Sequence, residues 1–244
     1  MLRLVLTLLL AGSVAACQGA QEDGRAPGAR DFPKADRPVA PAGATEFSTE
    51  EARDDRNEAN VVMELAQVRP GMTVADIGAG EGYYTVRLAE RVGSEGRVLA
   101  QDIDADAMTR LANRIERERL DNAYTQIGAP DDPRLPKNSF DRIFLVHMYH
   151  EVEEPYAFLW RLRPALREGG QVIVVDVDRP TDRHGIYPQL LFCEFEQVGF
   201  KLVKFARRPE LVGYYAQFTA EGPRPEPGDI KPCSQAGARQ QDAS

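Results

Sequence analysis

The chain has little cysteine, no excess of positive charge and no apolar run long enough to span a membrane. Its 244 residues contain three cysteines, Cys17, Cys193 and Cys233. None pairs with another at the spacing of a zinc site, and three are too few to build a disulfide scaffold. Lys and Arg number 30 against 38 Asp and Glu, for a formal net charge of -8. Such a balance offers no electrostatic footprint for a phosphate backbone, so no nucleic acid partner is expected. No cluster of basic residues marks an anionic polymer, and no aromatic groove is evident. The length allows one sizeable α/β core with tails and is short for two full domains.

The most apolar stretch lies at the start. Arg3 is followed by an aliphatic run from Leu4 to Leu10, broken by Thr7, and then by small residues through Ala16. The run is too short for a bilayer span and has the form of a signal peptide over 1–16. Val14-Ala15-Ala16-Cys17 resembles the lipobox of bacterial lipoproteins. That resemblance implies cleavage before Cys17, acylation of its thiol and new amino group, and an exported, periplasm-facing protein whose membrane partner is reached through the lipid. An ordinary signal peptide cut after Ala16 is the alternative. Residues 17–45 hold Pro27, Pro33, Pro38 and Pro41 without apolar periodicity, which reads as a flexible tether. Residues 220–244, with Pro223, Pro225, Pro227 and Pro232, read as a disordered tail. The folded domain is then 46–219.

Within it, strand and helix alternate. Ser48-Thr49-Glu50-Glu51 has the form of a capping box, which predicts a helix running to residue 67. Strands are expected over 73–77, 97–102, 123–127, 140–147 and 171–177, with a final hairpin over 201–205 and 212–218. Helices are expected over 83–92, 106–119, 155–166 and 188–198. Alternation at this spacing implies βαβ units: an α/β, Rossmann-like, doubly wound sheet of seven strands, mostly parallel, ending in an antiparallel hairpin. Ligands bind such sheets at the C-terminal ends of the strands.

The sharpest motif falls at one of those ends. Asp76-Ile77-Gly78-Ala79-Gly80-Glu81-Gly82 follows a strand and opens a helix. The glycines permit a tight turn and close approach of a ligand, and free N–H groups at the helix start favour a carboxylate or phosphate. A dinucleotide fold asks for glycine at the sixth position of the motif, which is Tyr83 here, so a nicotinamide dehydrogenase is disfavoured. A carboxylate ending the second strand suits two ribose hydroxyls. Asp102 fits best, with Asp104 its neighbour.

Glycines at 78, 80 and 82 with Asp76 before them resemble motif I of the class I S-adenosylmethionine-dependent methyltransferases. The resemblance covers about residues 47–219 and implies S-adenosyl-L-methionine as cofactor. It places Asp76 near the cofactor's amino group, Gly78, Gly80 and Gly82 along its methionyl part, and Asp102 at the ribose. In that family an acid before a Leu-Pro lies near the adenine. Asp131, four residues before Leu135, takes that place, with Asp132 as the other candidate.

The methyl acceptor must be aligned with the sulfonium methyl and often loses a proton. Val146-His147-Met148-Tyr149-His150-Glu151 leaves the fourth strand at the correct face. His150 is the candidate base, Tyr149 a group shaping the acceptor, and His147 a second candidate. Alternatively, both histidines only satisfy backbone at the strand end. A metal site from His147, His150 and Glu151 lacks a recognised ligand pattern, and none is expected. His184 lies in a polar loop that can face the acceptor. Arg53, Asp54, Asp55 and Arg56 read as a lid helix or a solvated face. The expected activity is methyl transfer to a small molecule, because little chain remains for a recognition domain. A binding protein that kept the fold without turnover is the rival reading.

Overall fold

The computed structural model describes residues 24–40 and 49–236. The signal segment and Cys17 lie outside the described residues. Seven strands form one sheet: β1 (Thr73–Ile77), β2 (Arg97–Asp102), β3 (Ala123–Ile127), β4 (Phe140–Val146), β5 (Leu166–Asp176), β6 (Phe200–Arg208) and β7 (Gly213–Ala220). Their order is β3-β2-β1-β4-β5-β7-β6. The first five run parallel, and β7 pairs antiparallel with both β5 and β6. The expected doubly wound sheet with its terminal hairpin is what forms.

Both faces of the sheet are covered, which is why its central strands read as unbroken apolar runs. Side chains alternate between the faces. Ile143 and Leu145 of β4 and Val172 and Val174 of β5 join one core, while Phe144, Val146, Ile173 and Val175 join the other. The first core is closed by α5 (Pro155–Leu162) and α6 (Pro188–Gln197), the second by α2 (Glu58–Leu65) and α3 (Tyr83–Val92). The helix α4 (Ala105–Glu118) sets Met108 and Leu111 against Ala100 of β2. Among the described residues no helix is long and apolar enough to cross a membrane.

Three expectations require correction. The single helix over 48–67 is two, α1 (Glu50–Asp54) and α2, because Asn57 takes a left-handed turn at φ 55°. Thr49 caps α1 by accepting from the Ala52 amide, so the helix start is one residue later than the capping box suggested. The described part of the supposed tether, 24–40, is packed against the domain. Ala29 and Phe32 are buried in the first core, Phe32 meets Trp160 edge-on, and Arg25 pairs with Glu154 at 2.6 Å. The prolines forbid a continuous helix there, but not an extended course that fills grooves.

The supposed tail is also packed as far as residue 236. Trp160 donates to the Pro225 carbonyl and Arg224 lies over its ring. Ile230 is buried, and Cys233 forms a disulfide with Cys193 of α6 across 40 residues. The composition showed only that the cysteines were few; proximity decided that two of them pair. Replacing both by serine is expected to lower stability by about 2 kcal/mol, toward the low end for such a bridge, because the Trp160 and Ile230 contacts remain. Urea unfolding measures the loss, and limited proteolysis should cut first within 221–236.

Candidate active site

The strand order reverses between β1 and β4, and in open α/β sheets the ligand crevice lies outside the C-terminal exits at such a point. A Cβ on Gly78 would come within 2.8 Å of the Met148 Cγ, so the two exits touch and only glycine fits. Gly80, at φ 52°, has nothing within 4 Å of the place its Cβ would take, which leaves room for a ligand against the backbone. Gly82 precedes α3 and supplies no side-chain cap. The first-turn amides of that helix therefore lack a side-chain cap and keep their partial positive charge.

Asp102 ends β2 and reaches this loop. Its Oδ2 accepts from the Gly80 amide at 3.0 Å and its Oδ1 from the Asp104 amide at 3.0 Å. Asp104 has a different task, since its carboxylate accepts from the amides of Asp106 and Ala107 and caps α4. Of the two acids, Asp102 is the one in contact with the glycine loop.

Asp76 is almost wholly buried at the end of β1 and accepts from the Thr85 hydroxyl at 2.6 Å. Burial pushes its carboxyl up to about 6, against the pull of the Thr85 hydrogen bond and the Arg53 charge.

Asp131 does not join these groups. Its Oδ2 accepts from Arg161 of α5 at 2.6 Å, and the same guanidinium holds the Gly28 carbonyl. Asp132 accepts from the Arg134 amide and stiffens its own turn. Neither adenine candidate is brought beside Asp76 or Asp102 by a contact.

The residues expected at the acceptor separate. Tyr149 is fully buried and donates to Glu194 of α6 at 2.7 Å, so it faces the core and not an acceptor. His147 takes a left-handed backbone at φ 55°, with Nε2 3.6 Å from Glu58. His150 alone keeps a place suited to chemistry. It is 1% exposed, and its Nδ1 lies 3.0 Å from both carboxylate oxygens of Asp176 at the end of β5. The grouping of His147, His150 and Glu151 does not form; His184 takes the place of His147 beside the other two.

Four groups around the crevice were missed. Glu58 is fully buried at the start of α2, pairs with Arg53 at 2.6 Å and accepts from Tyr84. Burial raises its pKa, but His147 and Arg53 outweigh this and hold it at about 2. Arg53 also lies 4.0 Å above the Tyr83 ring, so this part of 53–56 is packed against α3 rather than solvated. Arg37, Glu194 and Asp176 are the other three. The signal for Asp176 was an acid closing an apolar strand, and for Glu194 an acid inside an apolar helix. Buried acids of this kind need a named partner.

Fold and site define a Rossmann-like α/β domain with a glycine loop at the point where the strand order reverses. Residues 74–170 match the methyltransferase domain family. Among curated proteins, the chain is 31% identical over 147 residues to a ubiquinone/menaquinone biosynthesis C-methyltransferase UbiE of Methylococcus capsulatus, covering 59% of this chain and 56% of that protein. The chain thus spans little more than half the length of this relative. Among solved structures, it resembles a SAM-dependent methyltransferase from Aquifex aeolicus at TM-score 0.60 and 20% identity, over 70% of this chain and 96% of that one. It also resembles the glycopeptide N-methyltransferase MtfA complexed with S-adenosyl-L-methionine, at TM-score 0.56 and 13% identity, over 67% of this chain and 87% of that one.

Proposed function

We propose that this chain is an enzyme that transfers a methyl group from S-adenosylmethionine to a small acceptor. The observation that carries the reading is Asp102 locked to the Gly80 amide beside open space over the same glycine. A carboxylate held by two backbone amides keeps lone pairs for the ribose hydroxyls. The methionyl carboxylate suits the amides of α3, and the cofactor's ammonium suits Asp76 when ionised. Bound S-adenosylmethionine supplies an activated methyl on sulfonium sulfur.

On the acceptor side, the Asp176 carboxylate accepts a hydrogen bond from the Nδ1–H of His150 and directs the electron pair of Nε2 toward the ends of β4 and β5. There the acceptor meets the protein. The relative's name points to quinol-type rings as the first acceptors to try.

The test is calorimetric titration of the purified protein with S-adenosylmethionine, followed by transfer of labelled methyl to a panel of such acceptors. Binding with turnover supports the reading, with His150→Ala keeping binding and losing turnover. Binding without turnover on any acceptor would favour a non-catalytic binding protein, and no binding would remove both.

Asp76 adds a pH dependence. With its carboxyl at about 6 in the free protein, the ionised form that attracts the cofactor's ammonium is depleted below that pH. Affinity is expected to rise with pH through 6 and to be about tenfold weaker at pH 5 than at pH 7. Asp76→Asn should bind more weakly at pH 7 and lose most of this slope in the same titration.

We also propose that the protein is exported and held to a membrane by lipid on Cys17. The lipobox supports this, as does the Cys193–Cys233 disulfide, a bond that persists in oxidising compartments. Metabolic labelling with a tagged fatty acid in a bacterial host should mark the wild type and not Cys17→Ser.

A further inference from the structure

His150, Glu151 and His184 converge from two different strand exits. His150 and Glu151 lie in the turn after β4, and His184 lies in the loop after β5. One ligand atom from each falls within 4.8 Å of the others. The His150 Nε2 is 3.8 Å from the Glu151 carboxylate and the His184 Nδ1 3.9 Å from it. The two imidazole rings meet edge to face at 5.7 Å.

Both nitrogens that face this point are buried and have no hydrogen-bond partner, and the His150 side chain is itself 1% exposed. The arrangement around Asp176 assigns the tautomer. Its Oδ1 already accepts from the Val177 amide at 2.8 Å, so as a carboxylate it accepts a hydrogen bond from the His150 Nδ1–H and leaves Nε2 as a lone pair. A lone pair, a carboxylate and a second imidazole nitrogen then face one another, the two nitrogens buried and the Glu151 and His184 side chains partly exposed. Three acceptors so placed call for a cation between them.

We propose that His150 Nε2, Glu151 and His184 Nδ1 bind one divalent transition-metal ion, with zinc the best match. Two imidazoles and one carboxylate form the ligand set of zinc sites that keep a fourth position open. Other first-row ions also accept this set. Bonds of about 2.0–2.2 Å are reached when the donors close in by roughly half an ångström. Asp176 supplies the outer carboxylate that orients a ligating histidine and raises its basicity. His184 is pre-set in the loop, because its left-handed backbone at φ 55° is fixed by Arg179 donating to its carbonyl.

The neighbouring Met148 lies against Gly78 of the glycine loop, which sets this cluster beside the proposed cofactor site, and an ion held there keeps a fourth position open. It would take an oxygen ligand, either water or a hydroxyl of the acceptor. Only this last point rests on the methyl-transfer reading. Metal binding is read without the cofactor, and with an ion bound the His150 Nε2 electron pair serves as its ligand and no longer as a base for the acceptor.

The test uses tag-free protein stripped with a chelator. Zinc chloride is titrated by calorimetry, and cobalt(II) is followed by its visible absorption. The expected result is one equivalent bound at micromolar affinity or better, with a cobalt spectrum of low coordination number. His184→Ala and Glu151→Gln should weaken zinc binding roughly a hundredfold, and Asp176→Asn about 10–100-fold. His147→Asn, whose histidine lies against Glu58, should leave zinc affinity unchanged.

No binding by folded wild type, or equal binding by wild type and His184→Ala, would overturn the site. In the latter case the ion sits elsewhere, and in the former the cluster holds only a proton. S-adenosylmethionine is titrated into the same samples. Zinc without cofactor binding would sink the methyltransferase reading alone, and cofactor without zinc binding would sink the metal site alone.

Discussion

Arg37→Ala should destabilise the protein by about 3–5 kcal/mol, a large share of the stability of a domain this size. The Arg37 and Glu194 side chains are both fully buried and pair at 2.8 Å. Tyr149 donates its hydroxyl to the other Glu194 oxygen. Removing the guanidinium leaves a carboxylate in the core with one neutral donor, which is the costly way to break a buried pair. Urea unfolding gives the value. Arg37→Met combined with Glu194→Leu should recover most of the loss, since no charge then stays unpaired. A single-variant loss under 1 kcal/mol would mean that water reaches Glu194.

The same side chain reaches the crevice. Arg37 Nη1 donates to the His150 carbonyl at 3.1 Å and Nη2 to the Val152 carbonyl at 3.0 Å. It clamps the turn that carries His150, so a segment that reads as a tether acts as a strap under the acceptor side. In folded Arg37→Ala, turnover should fall more than S-adenosylmethionine affinity, because the clamp touches the turn after β4 and not the glycine loop.

Asp102→Ala should weaken S-adenosylmethionine binding about a hundredfold. A carboxylate taking two hydroxyl hydrogens contributes about 3 kcal/mol, and 1.4 kcal/mol corresponds to tenfold. The variant also frees the Gly80 amide from its anchor, which loosens the loop before the cofactor arrives. Asp104→Ala is the informative partner. Its carboxylate caps α4, so its loss should cost about 1 kcal/mol of stability and leave affinity within a few fold. Calorimetry and urea unfolding on both variants separate the two tasks. Equal affinity in wild type and Asp102→Ala would place the ribose elsewhere.

Much of the architecture was legible because local rules agree along the chain. The apolar runs of β4 and β5 could only be strands covered on both faces, and Gly78, Gly80 and Gly82 could only be a turn between strand and helix. The helix break at Asn57 escaped because the stripe of Val61, Val62 and Leu65 continues the pattern regardless of the turn before it. Tyr149 escaped because a tyrosine beside two histidines reads as chemistry until its hydroxyl is seen to end on Glu194. The packed 24–40 and 221–236 segments escaped because proline-rich composition reports on helix content and not on burial.

By itself, the sequence determined the sheet and its strand types, the glycine loop, and the two acids at 76 and 102 that end adjacent parallel strands. These depend on periodicity and on residues a few positions apart, where chain geometry leaves few choices. Only the tertiary structure decided which groups meet across the fold: Arg37 with Glu194, Cys193 with Cys233, Glu58 with Arg53 and His147, and His150 with Asp176 and His184. Each pair joins elements separate in sequence, and charge or sulfur has no period that marks its partner. Packing brings such groups together, and burial then decides which of them must be matched.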